Sequence, residues 1–235
     1  MPESLEQRLI DLLLQYKAFK IEDFVLKSGR VAPYYIDFGK INDGFGLIAL
    51  SEIYASKIKE LERSEFNESD VIFGLSYKGL VIGEACVTSL ARDGINKRFA
   101  YDRKEEKKHG ESGWFVGEIK DGDRILIVDD VFTTGETKEG IIKQLRKYYK
   151  DLRFGILVGV NREECDEEKY SCYDWDNIKS ITSITKVFKH LAETGKIDAA
   201  AIGKFKNYMR QYGTNEAKKA CEAIWPLSLS KVIKN

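Results

Sequence analysis

Proline is scarce, three residues in 235, so rigid linkers have few places to sit and one large domain, or one with a small subdomain, is expected. Cysteine is sparse too. Cys86, Cys165, Cys172 and Cys221 form no CxxC pair, and the two histidines, His109 and His190, lie far from them. That spacing argues against a metal cluster and against a disulfide framework, and reduced intracellular thiols are the default. Net charge is absent: Lys+Arg and Asp+Glu are both 38, which speaks against a general nucleic-acid or membrane surface. No apolar run approaches the ~20 residues needed to cross a bilayer. The Met-Pro-Glu-Ser start leads into an amphipathic, charged run and not a signal-peptide pattern. A soluble cytoplasmic protein is expected, with no nucleic-acid and no membrane partner. Its 43% apolar and 11% aromatic content is that of an ordinary globular chain.

What is present centres on Ile125 to Thr137, ILIVDDVFTTGET. Ile125–Val128 are branched and apolar without alternation, the pattern of a strand buried on both faces in a parallel sheet. Asp129 and Asp130 sit where that strand ends. Thr133, Thr134, Gly135 and Thr137 then bring hydroxyls and a flexible backbone to the start of a helix, whose open N–H groups bind anions, phosphate above all. Ligands gather at the carboxyl ends of strands in open α/β sheets. These residues alone suggest a ribose-phosphate site, carboxylates on sugar hydroxyls and the Thr/Gly turn on phosphate. Receiver domains and nucleotide hydrolases also end a hydrophobic strand in acids. A receiver, however, places its pair near the chain start, and no GxxxxGK[ST] loop occurs here.

In chain order, Ser4 to Lys17 reads as an amphipathic helix with Ser4 as N-cap. Phe19 to Leu26 and Val31 to Phe38 read as two short strands around the Lys27-Ser28-Gly29-Arg30 turn. Tyr34-Tyr35, after Pro33, are rings that pack or stack. Gly46 to Leu61 is a helix, 71–74 a strand, and 80–92 a helix after the Tyr77-Lys78-Gly79 turn. Arg98 to Arg103 is a strand that enters the polar run 104–113, read as a loop or mobile lid. Trp114 to Gly117 is a returning strand. The helix after Thr137 runs to about Lys150, Phe154 to Val160 is a buried strand ending at Asn161-Arg162, and 163–176 is acidic and irregular. Ile178 to Ile184 is a short strand, followed by helices over 187–193, 199–212 and 216–224. Alternating strands and helices predict an α/β fold with a doubly wound, mainly parallel sheet. Within the single domain 1–235, residues 1–40 and the C-terminal helices would cap the carboxyl edge of a 41–185 core, with 186–235 as a helical extension.

The DD-VFT-T-G-E-T pattern resembles the phosphoribosyl-pyrophosphate (PRPP) motif of type I phosphoribosyltransferases. Taken with LKSGR (26–30), PYYID (33–37), YKG (77–79), RKEEKKHGE (103–111) and LVGVNRE ending near Arg162, the chain resembles the orotate phosphoribosyltransferase family over roughly residues 1–190. The RKxxKxHGE loop separates that family from other PRPP-dependent transferases. The resemblance implies the type I phosphoribosyltransferase fold, transfer of a 5-phosphoribosyl group from PRPP to N1 of orotate, and a homodimer with shared sites. It implies Mg2+ on pyrophosphate and ribose oxygens, with no direct side-chain ligation expected.

Carried over by residue, it assigns the ribose hydroxyls to Asp129 and Asp130, and the 5′-phosphate to Val131, Phe132, Thr133, Thr134, Gly135, Glu136 and Thr137. Lys27, Tyr77, Lys78 and Arg103 take the pyrophosphate, and Lys104, Lys107 and His109 are carried by the lid. Orotate falls to Tyr34, Tyr35, Thr133 and Arg162. Lys104, His109, Asp129 and Asp130 are the expected catalytic set. Many relatives carry Phe-Phe-like residues at the tyrosine pair, and Glu136 sets an acid beside a phosphate, so its side chain must point away. The alternatives are transfer to another base, which the lid and Arg162 count against, and a PRPP-sensing regulator that binds nucleic acid, which the neutral charge counts against.

Overall fold

The computed structural model describes residues 3–26, 29–64, 68–107, 113–164 and 178–225. Helix α1 (Leu5–Gln15) is capped by Ser4, whose hydroxyl accepts from the Gln7 amide. Strands β1 (Phe19–Lys20), β2 (Phe24–Val25), β3 (Val31–Ala32) and β4 (Tyr35–Ile36) form two small antiparallel pairs, β1 with β4 and β2 with β3. The two longer strands expected here are therefore each broken in the middle. Helix α2 (Gly44–Ser64), β5 (Val71–Gly74), α3 (Lys78–Arg92), β6 (Arg98–Lys107), β7 (Gly113–Val116), β8 (Arg124–Phe132), α4 (Glu136–Tyr148), β9 (Arg153–Asn161) and β10 (Ile178–Ser183) build the core. Helices α5 (Ile184–Glu193), α6 (Ala199–Tyr212) and α7 (Asn215–Glu222) follow.

Six strands form one sheet in the order β10-β9-β8-β5-β6-β7. All neighbours are parallel except β6 and β7. The missing alternation in β8 now has its cause. Leu126 and Val128 pack on one face with Ile72, Leu157 and the N- and C-terminal elements, while Ile125 and Ile127 pack on the other with Phe73, Val158, Ile141 and Leu145 of α4. Both faces are covered, so both must be apolar.

One difference concerns the lid. Strand β6 continues to Lys107, and Lys107 pairs with Gly113. Residues 104–107 are polar, yet they continue the strand across a register shift between Asp102 and Lys107, and backbone pairing of this kind is something an apolar pattern cannot register. The tip, 108–112, lies outside the described residues. Most of the segment read as acidic and irregular does too.

Cys86 and Cys221 are buried free thiols, and burial pushes the Cys221 thiol up to about 12. Cys165 and Cys172 are not among the described residues. Among the described residues, no helix is long and apolar enough to cross a membrane.

Candidate active site

The carboxyl ends of β5, β6, β8 and β9 converge on one edge of the sheet. Glycine controls how closely α3 approaches it. A Cβ on Gly74 would stand 2.6 Å from the Leu80 Cα. One on Gly79 would intrude on the Val128 carbonyl oxygen and lie 3.1 Å from Asp129 Oδ1. Only bare backbone permits this contact, and it sets Lys78, the first residue of α3, at the end of β8.

There the two carboxylates are held alike. Asp129 Oδ1 accepts from the Asp130 amide at 2.9 Å, and Asp130 Oδ1 from the Val131 amide at 2.8 Å. Each second oxygen faces a lysine. Asp130 Oδ2 lies 3.1 Å from Lys78 Nζ, which is also 3.1 Å from Asp37 Oδ1. Asp129 Oδ2 accepts from Lys138 Nζ, and that ammonium donates to the Val131 carbonyl at 2.9 Å. The Asp129 carbonyl accepts from the Tyr54 hydroxyl at 2.9 Å. Burial raises the Asp129 pKa; Lys138 opposes this and Asp130 adds to it. Burial works against the Lys78 charge, but Asp130 and Asp37 outweigh it and hold the pKa above the ordinary lysine value.

Beyond Phe132 the chain turns through Thr133 and Thr134 to Gly135, which adopts φ +76° and offers α4 no side-chain cap. The first turn of α4 is thereby left without the usual capping oxygen, the arrangement that suits an anion. Thr133, Glu136 and Thr137 are exposed.

Next to this turn, Phe132 pairs with Asn161 in the β8–β9 register, and the Arg162 amide donates to the Phe132 carbonyl at 3.0 Å. The Arg162 guanidinium donates to Glu164 and, from Nε, to the Tyr34 hydroxyl at 3.1 Å.

On the other flank, the Ser76 amide and hydroxyl bind Asp102 of β6, each at 2.7 Å, tying the Tyr77-Lys78 turn to the strand that carries Arg103. Tyr77 is 68% exposed. Arg103 Nε is buried and has no hydrogen-bond partner among the described residues. Lys104 is exposed.

The structure therefore brings together Tyr77, Lys78, Asp129, Asp130 and the Thr133–Thr137 turn, with Arg103 and Lys104 on the neighbouring strand. It separates the tyrosine pair. Tyr34 is 1% exposed and packs among Phe19, Phe188, Phe205 and Tyr208, whereas Tyr35 is 42% exposed and rests on Phe24. As neighbours on an extended strand they point to opposite sides. Lys27, His109 and the side chain of Lys107 lie outside the described residues. Among the described residues no group of three or more His, Cys, Asp or Glu is placed to hold a metal ion.

Residues 48–193 match the phosphoribosyl transferase domain family. The orotate phosphoribosyltransferase of Bifidobacterium adolescentis is 37% identical over 168 residues, covering 70% of this chain and 73% of its own length. That of Vibrio atlanticus is 33% identical over 218 residues, covering 90% and 99%. The chain belongs to the orotate phosphoribosyltransferase family. Among solved structures, the orotate phosphoribosyltransferase of Francisella tularensis aligns with a TM-score of 0.71 at 28% identity, over 87% of this chain and 95% of its own.

Four residues of this orotate phosphoribosyltransferase family member were not legible as site residues: Asp37, Tyr54, Lys138 and Glu164. Asp37 closes the PYYID segment and Glu164 follows Arg162 by two, so adjacency to a motif was their one signal. Tyr54 carried none, because its hydroxyl reaches the site only through the packing of α2 on the sheet.

Proposed function

We propose that this chain transfers the 5-phosphoribosyl group of PRPP to N1 of orotate, releasing pyrophosphate and giving orotidine 5′-monophosphate for pyrimidine biosynthesis. The observation that carries this reading is the Asp129–Asp130 pair near the carboxyl end of β8, which continues through Val131 and Phe132 before the Gly135 turn and the open start of α4.

The C1′–oxygen bond to pyrophosphate breaks as the N1–C1′ bond forms, N1 gives up its proton to solvent, and the ribose passes through an oxocarbenium-like state. Asp129 and Asp130 would bind its hydroxyls and set negative charge beside the developing cation. The backbone of Val131–Thr137 and the hydroxyls of Thr133, Thr134 and Thr137 would hold the 5′-phosphate, with the Glu136 side chain turned outward. Lys27, Tyr77, Lys78 and Arg103 would take the pyrophosphate. Its arrival replaces the Asp130 and Asp37 contacts of Lys78 and gives Arg103 Nε an acceptor. Arg162 would meet the orotate carboxylate at the guanidinium edge that Glu164 leaves, in a fork geometry. Thr133 would lie beside that base and Tyr35 would stack on it; Tyr34 would serve from behind, through Arg162.

Magnesium suits a site whose local acids are hard oxygen donors, and carried on the diphosphate and ribose oxygens it would neutralise part of the leaving charge. The β6–β7 arm would bring Lys104, Lys107 and His109 over a partner protomer's site and exclude water, so a homodimer with shared sites belongs to the proposal. So does the division into a 1–40 hood, a 41–185 core and a 186–235 helical extension.

The test is to mix the protein with PRPP, Mg2+ and orotate and follow the loss of orotate absorbance. Turnover with uracil or a purine, and none with orotate, overturns the reading.

A further inference from the structure

Two lysines serve the two carboxylates, but they stand in different surroundings. The Lys78 side chain is 40% exposed and shared with Asp37; that of Lys138 is 8% exposed and, among the described residues, shared only with a backbone carbonyl. Lys138 heads the buried stripe of α4, in line with Ile141 and Leu145, where the sequence period calls for an apolar residue. Its Nζ also lies 5.9 Å from the centre of the Phe132 ring. A lysine here meets two local penalties. Its ammonium is desolvated, and it sits in the first turn of a helix, where the dipole favours acids such as the neighbouring Glu136 and Glu139. Asp129 is the group that compensates both.

We infer that Lys138 is a positioning residue: fixed by Asp129 and the Val131 carbonyl, it makes Asp129 the permanent member of the carboxylate pair, so that Asp130 alone exchanges its lysine for substrate. The inference rests on the reading that this pair receives the ribose of PRPP. Without Lys138, Asp129 would be a buried carboxylate with another carboxylate as its chain neighbour and no cation of its own. It would then take up a proton or turn out of line, and in either state it would present the wrong oxygen to a ribose hydroxyl.

The test compares Lys138→Met, Lys138→Arg, Asp129→Asn and the double variant Lys138→Met/Asp129→Asn. PRPP affinity is read by titration calorimetry with Mg2+, and KM is measured separately for PRPP and orotate. Lys138→Met is expected to weaken PRPP binding about tenfold, the loss of one charge-assisted contact, with orotate KM unchanged. Lys138→Arg, which keeps the charge, should recover most of the affinity. In the Asp129→Asn background the Lys138→Met change should add nothing. A folded Lys138→Met protein with wild-type PRPP affinity overturns the inference. So does a double variant that binds PRPP more weakly than Asp129→Asn alone. If Lys138→Met or Asp129→Asn does not fold, the double variant, which leaves no buried charge uncompensated, still decides: a folded double variant with wild-type PRPP affinity overturns the inference. A wild-type protein that binds PRPP yet never consumes orotate would overturn the assigned base and leave this comparison intact.

Discussion

Glu164 fixes Arg162 through one carboxylate oxygen, Oε1, which accepts from Nε at 3.0 Å and from Nη2 at 2.8 Å. The same oxygen accepts from the Tyr34 hydroxyl, and the guanidinium carbon stands 4.9 Å from the Tyr34 ring centre. Burial disfavours the arginine's charge, but Tyr34 and Glu164 more than offset it and the pKa is raised. The arginine is thus aimed before any ligand arrives.

Replacing Glu164 with Gln keeps an acceptor and removes the charge that balances Arg162. Stability in urea should fall by ~1–3 kcal/mol, and orotate KM should rise while PRPP KM does not. An unchanged orotate KM would mean that the end of β9 alone sets the arginine's position.

Gly79 admits no side chain against the Val128 carbonyl. Gly79→Ala must push the start of α3 off the sheet, costing ~1–3 kcal/mol by denaturant titration. The displaced Lys78 should lower kcat/KM for PRPP. Full activity in a folded Gly79→Ala protein would show that Lys78 reaches its ligand from more than one backbone position.

The lid can be tested by mixing subunits. Lys104→Ala should slow chemistry far more than it weakens PRPP binding, and Asp130→Asn should be nearly inactive. Mixed together, the two proteins should regain part of the activity, because one site in a mixed dimer draws the intact lid from one chain and the intact acid from the other. No recovery after mixing would speak against shared sites.

Asp70 provides a pH-dependent stability term away from the site. Burial works to raise its pKa, but the Arg124 amide at 2.8 Å and guanidinium at 3.2 Å outweigh it, and the shift from 3.8 is downward. A carboxyl depressed in the folded state contributes stability above its unfolded pKa and loses it as pH falls through the folded value. Asp70→Asn should therefore destabilise the protein at neutral pH by less than ~1 kcal/mol, the pair being partly exposed. The difference from wild type should vanish under strongly acidic conditions. A difference that persists there would assign the effect to geometry and not to charge.

The reach of sequence reasoning follows the range of the interactions. Ile125–Val128, the acid pair and the Thr-Gly turn are contiguous, so strand, strand end and helix start could be read from periodicity and turn chemistry. The β6 extension through Lys107 could not, since its order comes from pairing with β7 and not from apolar burial. Ile141 and Leu145 could be read as facing inward from their spacing, and Lys138 falls on the same stripe, but nothing in the sequence says what compensates a lysine there. Asp129 does so from near the end of another element, across the turn. The fate of Tyr34 was hidden for a related reason: Phe188, Phe205 and Tyr208 are far along the chain, and no local pattern announces that they will surround it.

That aromatic cluster also has a bearing on how the chain is made. Synthesis runs from the N-terminus, so Tyr34 emerges long before α5 and α6 exist to receive it. The β5–β10 sheet can assemble from segments that follow one another closely, whereas the packing of Tyr34 must wait for residues 188–208, and contacts of such separation form slowly. By that order the Tyr34 end of the chain, made first, would be completed last, and the Arg162 side chain, which leans on Tyr34, would take up its final pose only then.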